Sequence, residues 1–350
     1  MPFTKITSPH AHSTTNTASV MKTVLLATLP GCAVMVAYFG PGTVTNLVLC
    51  SLFCLGFEAA FLKLRKRPLD FYLRDYSALV TAVLLAVALP PYSPFWLIAT
   101  GCFFAIVVAK QLYGGLGYNP FNPAMVGYIV LLISFPLEMS RWPAALPTLA
   151  DGTSLPSLGD TLHFVFLGSG LDGYTAATPL DLVKQNNSVI LSDLYDQQAV
   201  FMKGLWAGAG WEWVNLAFLG GGLFLIYKKI FTWHAPVAML ASLGLCAALF
   251  YDGGSSTSGG SPLFHWLSGA TMLGAFFIVT DPVTSAVSSR GRLIYGALIG
   301  VLVYVIRTWG NYPDAVAFSV LLLNFAAPFI DYYTKPVTYG HGNKRRGSKS

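Results

Sequence analysis

Residues 44–62 read VTNLVLCSLFCLGFEAAFL and run directly into Lys63, Arg65, Lys66 and Arg67. An apolar run of that length matches the roughly 17–25 residues a helix needs to cross the hydrocarbon core. A basic cluster at one end marks the cytoplasmic side of such a span. Working outward, similar segments centre on residues 22–40, 44–62, 77–90, 94–112 and 121–137, and then on 212–228, 235–250, 264–280, 293–306 and 314–330. Hydrophobic residues make up 54% and charged residues 10% of the 350, against about 25% charged in a soluble domain. The expected fold is all-α: a polytopic membrane protein of about ten transmembrane helices. Several segments are shorter than a straight span and carry Gly or Pro, a pattern that helices broken beside a binding site also produce.

The basic residues orient these spans. With the amino terminus inside, 17 of the 21 Lys and Arg, among them Lys22, Arg65, Lys110, Lys228 and Arg292, fall on the inner side. Only Arg141, Lys184, Lys203 and Arg307 fall outside. Both termini are therefore expected in the cytoplasm. Lys22 followed by Leu29-Pro30-Gly31-Cys32 imitates a lipoprotein cleavage site, but the apolar run continues and reads as an uncleaved first helix.

The chain then divides into five parts. Residues 1–21 form a polar cytoplasmic arm, 22–137 a first five-helix half, 138–208 an outer loop, 209–331 a second five-helix half, and 332–350 a basic tail suited to anionic lipid. An odd number of spans per half requires any repeat relating the halves to be inverted in the membrane. The outer loop is acidic, with Asp172, Asp181 and Asp193 among its carboxylates. A connection of that length is functional or disordered.

The loop's most informative string is Asp172-Gly173-Tyr174-Thr175-Ala176-Ala177-Thr178-Pro179-Leu180. Pro179 disfavours a helical conformation at Thr178 and leaves its hydroxyl on an extended or turn segment. Asp172-Gly173 supplies turn chemistry, and Ala176-Ala177 leave room for a bulky group. Pro179-Leu180-Asp181 reads as a helix start, with proline at the first position and an acid in the first turn. An esterified phosphate on Thr178 would lie near that helix start. The same residues also read as an ordinary N-cap threonine before a proline.

Cys32, Cys50, Cys54, Cys102 and Cys246 all lie in apolar segments without a C-x-x-C pair or a Cys/His cluster. They read as packing residues, so neither an iron–sulfur cluster nor another metal is expected in this chain. Trp206, Trp211, Trp213, Trp233, Trp266 and Trp309 sit near span ends, as an interfacial belt would. The glycine-rich run 253–260 lacks a following lysine and reads as an outer turn.

The 172–180 string resembles the flavinylation motif of the RnfD/NqrB family, membrane subunits of the Rnf and sodium-pumping NADH:quinone reductase complexes. Thr175-Ala176 stand where Ser-Gly is usual, closer to the RnfD form. The resemblance implies FMN held covalently on Thr178 through a phosphoester, installed by a flavin transferase outside the cytoplasmic membrane, with Asp172, Gly173 and Thr175 as the surrounding motif. It extends over nearly the whole chain. Gly114-Gly115-Leu116-Gly117-Tyr118-Asn119-Pro120-Phe121-Asn122-Pro123-Ala124 is similar to the family's N-P-x-N-P-A segment, which implies a second, non-covalent flavin such as riboflavin near Asn119 and Asn122. Asparagine offers both donor and acceptor to a flavin's pyrimidine edge, although the same residues could cap a Gly/Pro re-entrant turn.

The segment from Ser268 through Asp281 to Ser285 is also family-like. Ser268-Gly269-Ala270-Thr271 spells a shorter flavinylation string but opens directly into an apolar run. It reads as small-residue helix packing, and Thr178 is preferred. Asp281, at the inner edge, is a candidate for orienting the inner flavin or touching the ion path, or reads as a helix-end cap.

The resemblance implies a subunit of an Rnf-type complex of the bacterial inner membrane, its outer loop periplasmic, that passes electrons in redox-coupled ion translocation between ferredoxin and NAD. It would not act alone and carries no catalytic residue of its own. Its partners would be the iron–sulfur, NADH/flavin and second FMN-bearing subunits. Membrane lipid surrounds it, and no nucleic acid is involved. The alternative is a cofactor-free solute channel or transporter with the same inverted five-helix repeat.

Overall fold

The computed structural model describes residues 16–149, 153–168, 173–312 and 314–335. The arm before Asn16, the tail after Lys335 and Asp172 lie outside them.

The first group of helices is α1 (Thr17–Phe39), α2 (Gly42–Leu64), the short α3 (Leu69–Leu73), α4 (Ser77–Ala88), α5 (Phe95–Phe103), which continues as a π-helix over Phe104–Gln111, and α6 (Pro123–Ser134). The connection carries α7 (Pro136–Ser140), a 3-10 turn (Leu146–Thr148), α8 (Leu158–Leu167), α9 (Pro179–Gln185), α10 (Leu191–Gln197) and α11 (Ala199–Met202). The second group is α12 (Trp211–Tyr227), α13 (His234–Leu249), α14 (Pro262–Leu267), α15 (Thr271–Leu273) with a π-helix over Gly274–Ile278, α16 (Ser289–Trp309) and α17 (Val316–Thr334). The protein is a mostly helical, multi-pass membrane protein. Among the described residues the only β-pairing is one isolated antiparallel bridge, Pro143 with Thr175.

Helices α1, α2, α16 and α17 are long and apolar enough to cross a bilayer by length and composition, and shorter apolar helices stand among them. Their outward faces carry Leu26, Leu29, Leu52, Phe325 and Phe329, all more than half exposed. A helix that is apolar all round has lipid on one side and protein on the other. Inside, α1 packs on α12 and α6 on α17, while α2 lies against α5 and α13 against α16. Small residues permit these close crossings, as expected where lipid removes the hydrophobic drive between helices. A Cβ at Gly221 would collide with the carbonyl of Ala27 on α1, and one at Gly296 with that of Ala235 on α13.

Each expected span coincides with apolar helix, but two boundaries differ for clear reasons. Helix α1 begins at Thr17 rather than residue 22, because the Asn16 side chain caps it by accepting from the Ser19 N–H at 2.8 Å. The span expected over 264–280 is not continuous. Ser268, Gly269 and Ala270 do not pack as a helix stripe; they are the break between α14 and α15, with Gly269 at φ +58°.

The connection is ordered around its own caps. Ser157 and Asp160 form a capping box on α8, and Thr178 and Asp181 form one on α9. Buried Glu212, in the first turn of α12, accepts from the amides of Leu205, Trp206 and Ala207 at 2.9–3.3 Å. It thereby ties the connection to the second helix group.

Gly296→Val should destabilise the detergent-solubilised protein by about 2 kcal/mol or more, since overpacking commonly costs 1–3 kcal/mol. Gly56→Ala, whose Cβ would enter open space, should lower the thermal midpoint not at all. Equal effects from the two substitutions would contradict the tight α13–α16 crossing.

Candidate functional site

Two cavities lie between the helix groups, lined by opposite ends of several of the same helices. The larger, about 540 Å³, opens between the start of α1, the start of α4, the loop entering α6 and the turn after the second π-helix. The smaller, about 300 Å³, lies between the end of α1, the end of α4, the start of α12 and the break before α15. Ala124 lines the first and its neighbour Met125 the second; Leu84 and Val87 of α4 divide likewise.

Asn119, Asn122 and Asp281, far apart in sequence, meet at the larger cavity. Asn119 is 4% exposed; its amide nitrogen donates to the Phe121 carbonyl at 2.9 Å, and its Oδ1 has no partner. A buried acceptor without a donor is costly, so this atom is available to a ligand N–H. Asn122 does the work of an N-cap: its Oδ1 accepts from the Met125 N–H at 3.3 Å, while its Nδ2 stands 3.5 Å from Asp281 Oδ2. Asp281 accepts from the Val283 N–H at 3.2 Å and the Thr284 hydroxyl at 2.8 Å, holding the turn beyond the π-helix. The amide of Asn324, oriented to suit its neighbours, joins these segments by accepting from Asn122 N–H at 3.0 Å and donating to the Thr284 carbonyl at 3.3 Å. An unpartnered buried acceptor and a helix cap thus stand together in one cluster.

Beside it is a buried ion pair absent from the sequence reading. Lys110 Nζ lies 2.7 Å from Glu58 Oε1 with both side chains 2% exposed. The ammonium also donates to Ser77 Oγ at 2.7 Å, and Gln111 Nε2 donates to Glu58 Oε1 at 2.8 Å. Lys110, counted above among inner-side connection cations, instead belongs to the π-helix and lines the cavity. Such π segments are frequent at functional sites.

Thr178 borders the smaller cavity with Asp181, Asn215 and Asp314; Phe39, Tyr128, Trp142, Trp211 and Phe218 supply its aromatic walls. Trp211 is 9% exposed and packs on Phe39 and Trp142 at 5.1 Å between ring centroids. It is a cavity wall rather than part of an interfacial belt. The motif strand is held by two backbone bonds, Ala144 N–H to Tyr174 O at 2.8 Å and Ala176 N–H to Trp142 O at 2.9 Å. Thr175 forms the bridge with Pro143. Gly173 is exposed, with open space around it. Buried Pro179 docks against Gly208, which sits at φ +128° where a side chain would be strained and would strike the proline ring.

Thr178 is half-buried at the N-cap of α9, as the proline and acid spacing indicates. Its hydroxyl donates to Asp181 Oδ2 at 2.7 Å and accepts from the Asp181 N–H at 3.3 Å, while Asp181 Oδ2 also accepts from the Thr178 N–H at 3.2 Å. Ala176 and Ala177 beside it are exposed and leave that side of the threonine open.

The break before α15 forms another wall. Asn215 Nδ2 donates to the carbonyls of Trp211, Leu267 and Gly269 at 2.9–3.0 Å, and its Oδ1 accepts from the Met272 N–H at 3.0 Å. Asp314 accepts from the Ala270 N–H at 2.9 Å and pairs with buried Arg307 at 3.2 Å. Thr271 is fully buried and bonded to His265 O, Ser268 O and Arg307.

A family model described as NQR2, RnfD, RnfE matches residues 4–340. The chain belongs to this family. It is 62% identical over 351 residues to the D subunit of the ion-translocating oxidoreductase complex of Cellvibrio japonicus, covering 100% of this chain and 98% of that protein. The same-named protein of Ectopseudomonas mendocina is 58% identical, covering 100% and 99%. That of Escherichia fergusonii is 49% identical, covering 97% and 99%.

Glu58, Lys110, Asn215, Arg307 and Asp314 were not singled out by sequence reasoning. One signal was available for the charged ones: Glu58 lies inside the apolar run 44–62, and an intramembrane ionisable residue is a site candidate by default. Asn215 gave no such signal, because its partners are created by a helix break 52–57 residues away.

Lys110→Met should destabilise the family member by about 3–5 kcal/mol by stranding a buried carboxylate. The double substitution Glu58→Leu with Lys110→Met should recover most of that loss in thermal unfolding. A double variant no better than the single one would show that the pair does not act as a unit.

Proposed function

We propose that this chain is an electron-carrying membrane subunit of an Rnf-type complex, with FMN attached through a phosphoester to Thr178. The observation that carries the reading is the position of Thr178: its hydroxyl borders an aromatic cavity of about 300 Å³, within the range of small-molecule sites. Thr271, the competing threonine, is fully buried with its hydroxyl engaged, which favours Thr178 further.

The flavin supplies the redox chemistry when bound; the residues of this chain position it and keep water out. Phe39, Trp142, Trp211 and Phe218 offer apolar faces to a planar ring, and Asn215 and Asp314 keep the backbone at the helix break paired. On the other side, Asn119 Oδ1 offers an acceptor to the N–H of a second, non-covalent flavin, riboflavin among them. Two such rings would occupy separate cavities lined by opposite ends of α1, α4 and α12.

The reading of two inverted five-helix halves is supported by the matching construction of the cavities. The larger takes the start of α1 and the end of α12, the smaller the end of α1 and the start of α12. Lys110 of the extended α5 lines the first and bonds Ser77, which opens α4; Arg307 of α16 stands behind the wall of the second, bonding Thr271, which opens α15, and Asp314, which lines it. With the Lys63–Arg67 end in the cytoplasm, Thr178 faces the periplasm, where a flavin transferase would reach it.

The relatives are named as subunits of an ion-translocating oxidoreductase complex. By the same reading this chain works with iron–sulfur, NADH/flavin and second FMN-bearing subunits, moving electrons between ferredoxin and NAD in step with an ion.

After co-expression with a flavin transferase, the denatured wild-type band should fluoresce as a flavin, and Thr178→Ala should lose that signal. A dark wild-type band would favour the cofactor-free transporter; a fluorescent mutant would place the flavin elsewhere. Separately, Asn119→Ala should retain the covalent signal while releasing at least about tenfold more of any non-covalent flavin on purification, the scale of one lost buried hydrogen bond. Unchanged retention would exclude Asn119 from the inner flavin's contacts.

A further inference from the structure

On the same side as Thr178, a third and smaller cavity of about 110 Å³ is enclosed by α9, α14, α16 and the glycine-rich turn. Its polar lining includes Lys184, Asn186, Ser258, His265, Arg307 and Thr308, and no carboxylate among the described residues lines it. His265 is 1% and Arg307 4% exposed. Four buried polar atoms of these lining residues lack hydrogen-bond partners: both ring nitrogens of His265, Arg307 Nε and Thr308 Oγ1. The Gly259 carbonyl approaches the imidazole and the Tyr304 hydroxyl approaches Thr308, both outside hydrogen-bonding geometry.

The remaining capacity of both cations is already spent. Arg307 directs Nη1 at His265 O and Nη2 at Thr271 and Asp314, leaving Nε. Lys184 Nζ donates to the carbonyls of Ile306, Arg307 and Tyr312 at 2.6–3.2 Å and makes no ion pair among the described residues. Its carboxylate neighbour one turn back, Asp181, caps α9 through Thr178. A guanidinium N–H, an imidazole N–H and a hydroxyl therefore remain as donors around a space larger than one water's share of about 30 Å³. Buried donors need acceptors, and Lys184, whose charge no ion pair among the described residues offsets while Asp314 offsets that of Arg307, favours a negative one.

We propose that this cavity binds a small inorganic anion, of the halide or oxyanion class. The anion would join α9 to α14 and α16, and so fix the helix that Thr178 caps against the wall of the smaller cavity. The site stands on residues other than Thr178, whatever that threonine carries.

The test is thermal unfolding of the full-length protein in detergent with gluconate as sole anion, replaced stepwise by chloride, bromide or inorganic phosphate at constant ionic strength. A saturable rise of about 5 °C with either a halide or phosphate is expected, and the more effective anion identifies the class. Thr308→Val and His265→Phe should each weaken the apparent affinity by about tenfold or more. Thr178→Ala should leave the rise intact, which separates this site from the flavin reading. If a variant fails to fold, anomalous scattering from bromide or a resolved phosphate at His265 in the wild-type protein decides the matter. A non-saturating response equal for all three anions, or a saturable one untouched by both cavity variants, would make the cavity a water chamber and overturn the proposal.

Discussion

In a bilayer every backbone donor and acceptor has to find its partner within the protein, and this constraint bears hardest on Ser268-Gly269-Ala270. The helix stops there and restarts, exposing carbonyls and amides that a continuous helix would have paired. Asn215 closes most of the gap with one side chain, accepting from Met272 and donating to Leu267 and Gly269. Asp314 takes the Ala270 amide. With these two residues holding the break, Gly269 and Ala270 border the aromatic-walled cavity instead of continuing a helix.

The same logic explains why two cations are buried. Lys110 and Arg307 each lie near a helix end, and each bonds a hydroxyl at the start of another helix. Desolvating a charge is expensive, and a buried pair is weak evidence for stability in itself. Their use is positional. Lys110 joins the π-helix to α2 and α4 through Glu58 and Ser77, while Arg307 joins α16 to the break and to the entrance of α17. Neutral side chains of similar length would fill the space without fixing which carbonyl or hydroxyl stands opposite which.

Much of this was legible in the sequence, for physical reasons that differ by element. The helices could be read because lipid demands long apolar runs whatever surrounds them. The α9 start was legible from Thr178-Pro179-Leu180-Asp181, since capping is local chemistry. Asn119, Asn122 and Asp281 stood out as residue types, but their meeting depends on α6 lying against α17, which no spacing reveals. Trp211 looked interfacial because position along a span does not specify which way a ring points. The break at Gly269 was hidden because its stabilisers come from distant helices, and small residues fit a helix stripe as well as a gap. The family resemblance reached the motif residues and stopped short of Asn215 and Arg307, which carry no motif.

The N-cap role of Thr178 and its proposed role as an attachment point are not rivals, and their combination has a structural consequence. As a cap, the hydroxyl gives its proton to Asp181 and receives the Asp181 amide. An ester at that oxygen removes the donated proton and brings a phosphate anion near the same carboxylate, which still holds the Thr178 N–H. Helix α9 has only seven residues, and Pro179 removes one of its first amides, so its N-terminus has little left to offer a phosphate. Relief lies on the side of exposed Ala176 and Ala177, away from Asp181. Under that proposal the two alanines would leave space into which the phosphate could turn while Pro179 stays seated on Gly208 and the cap keeps its backbone half.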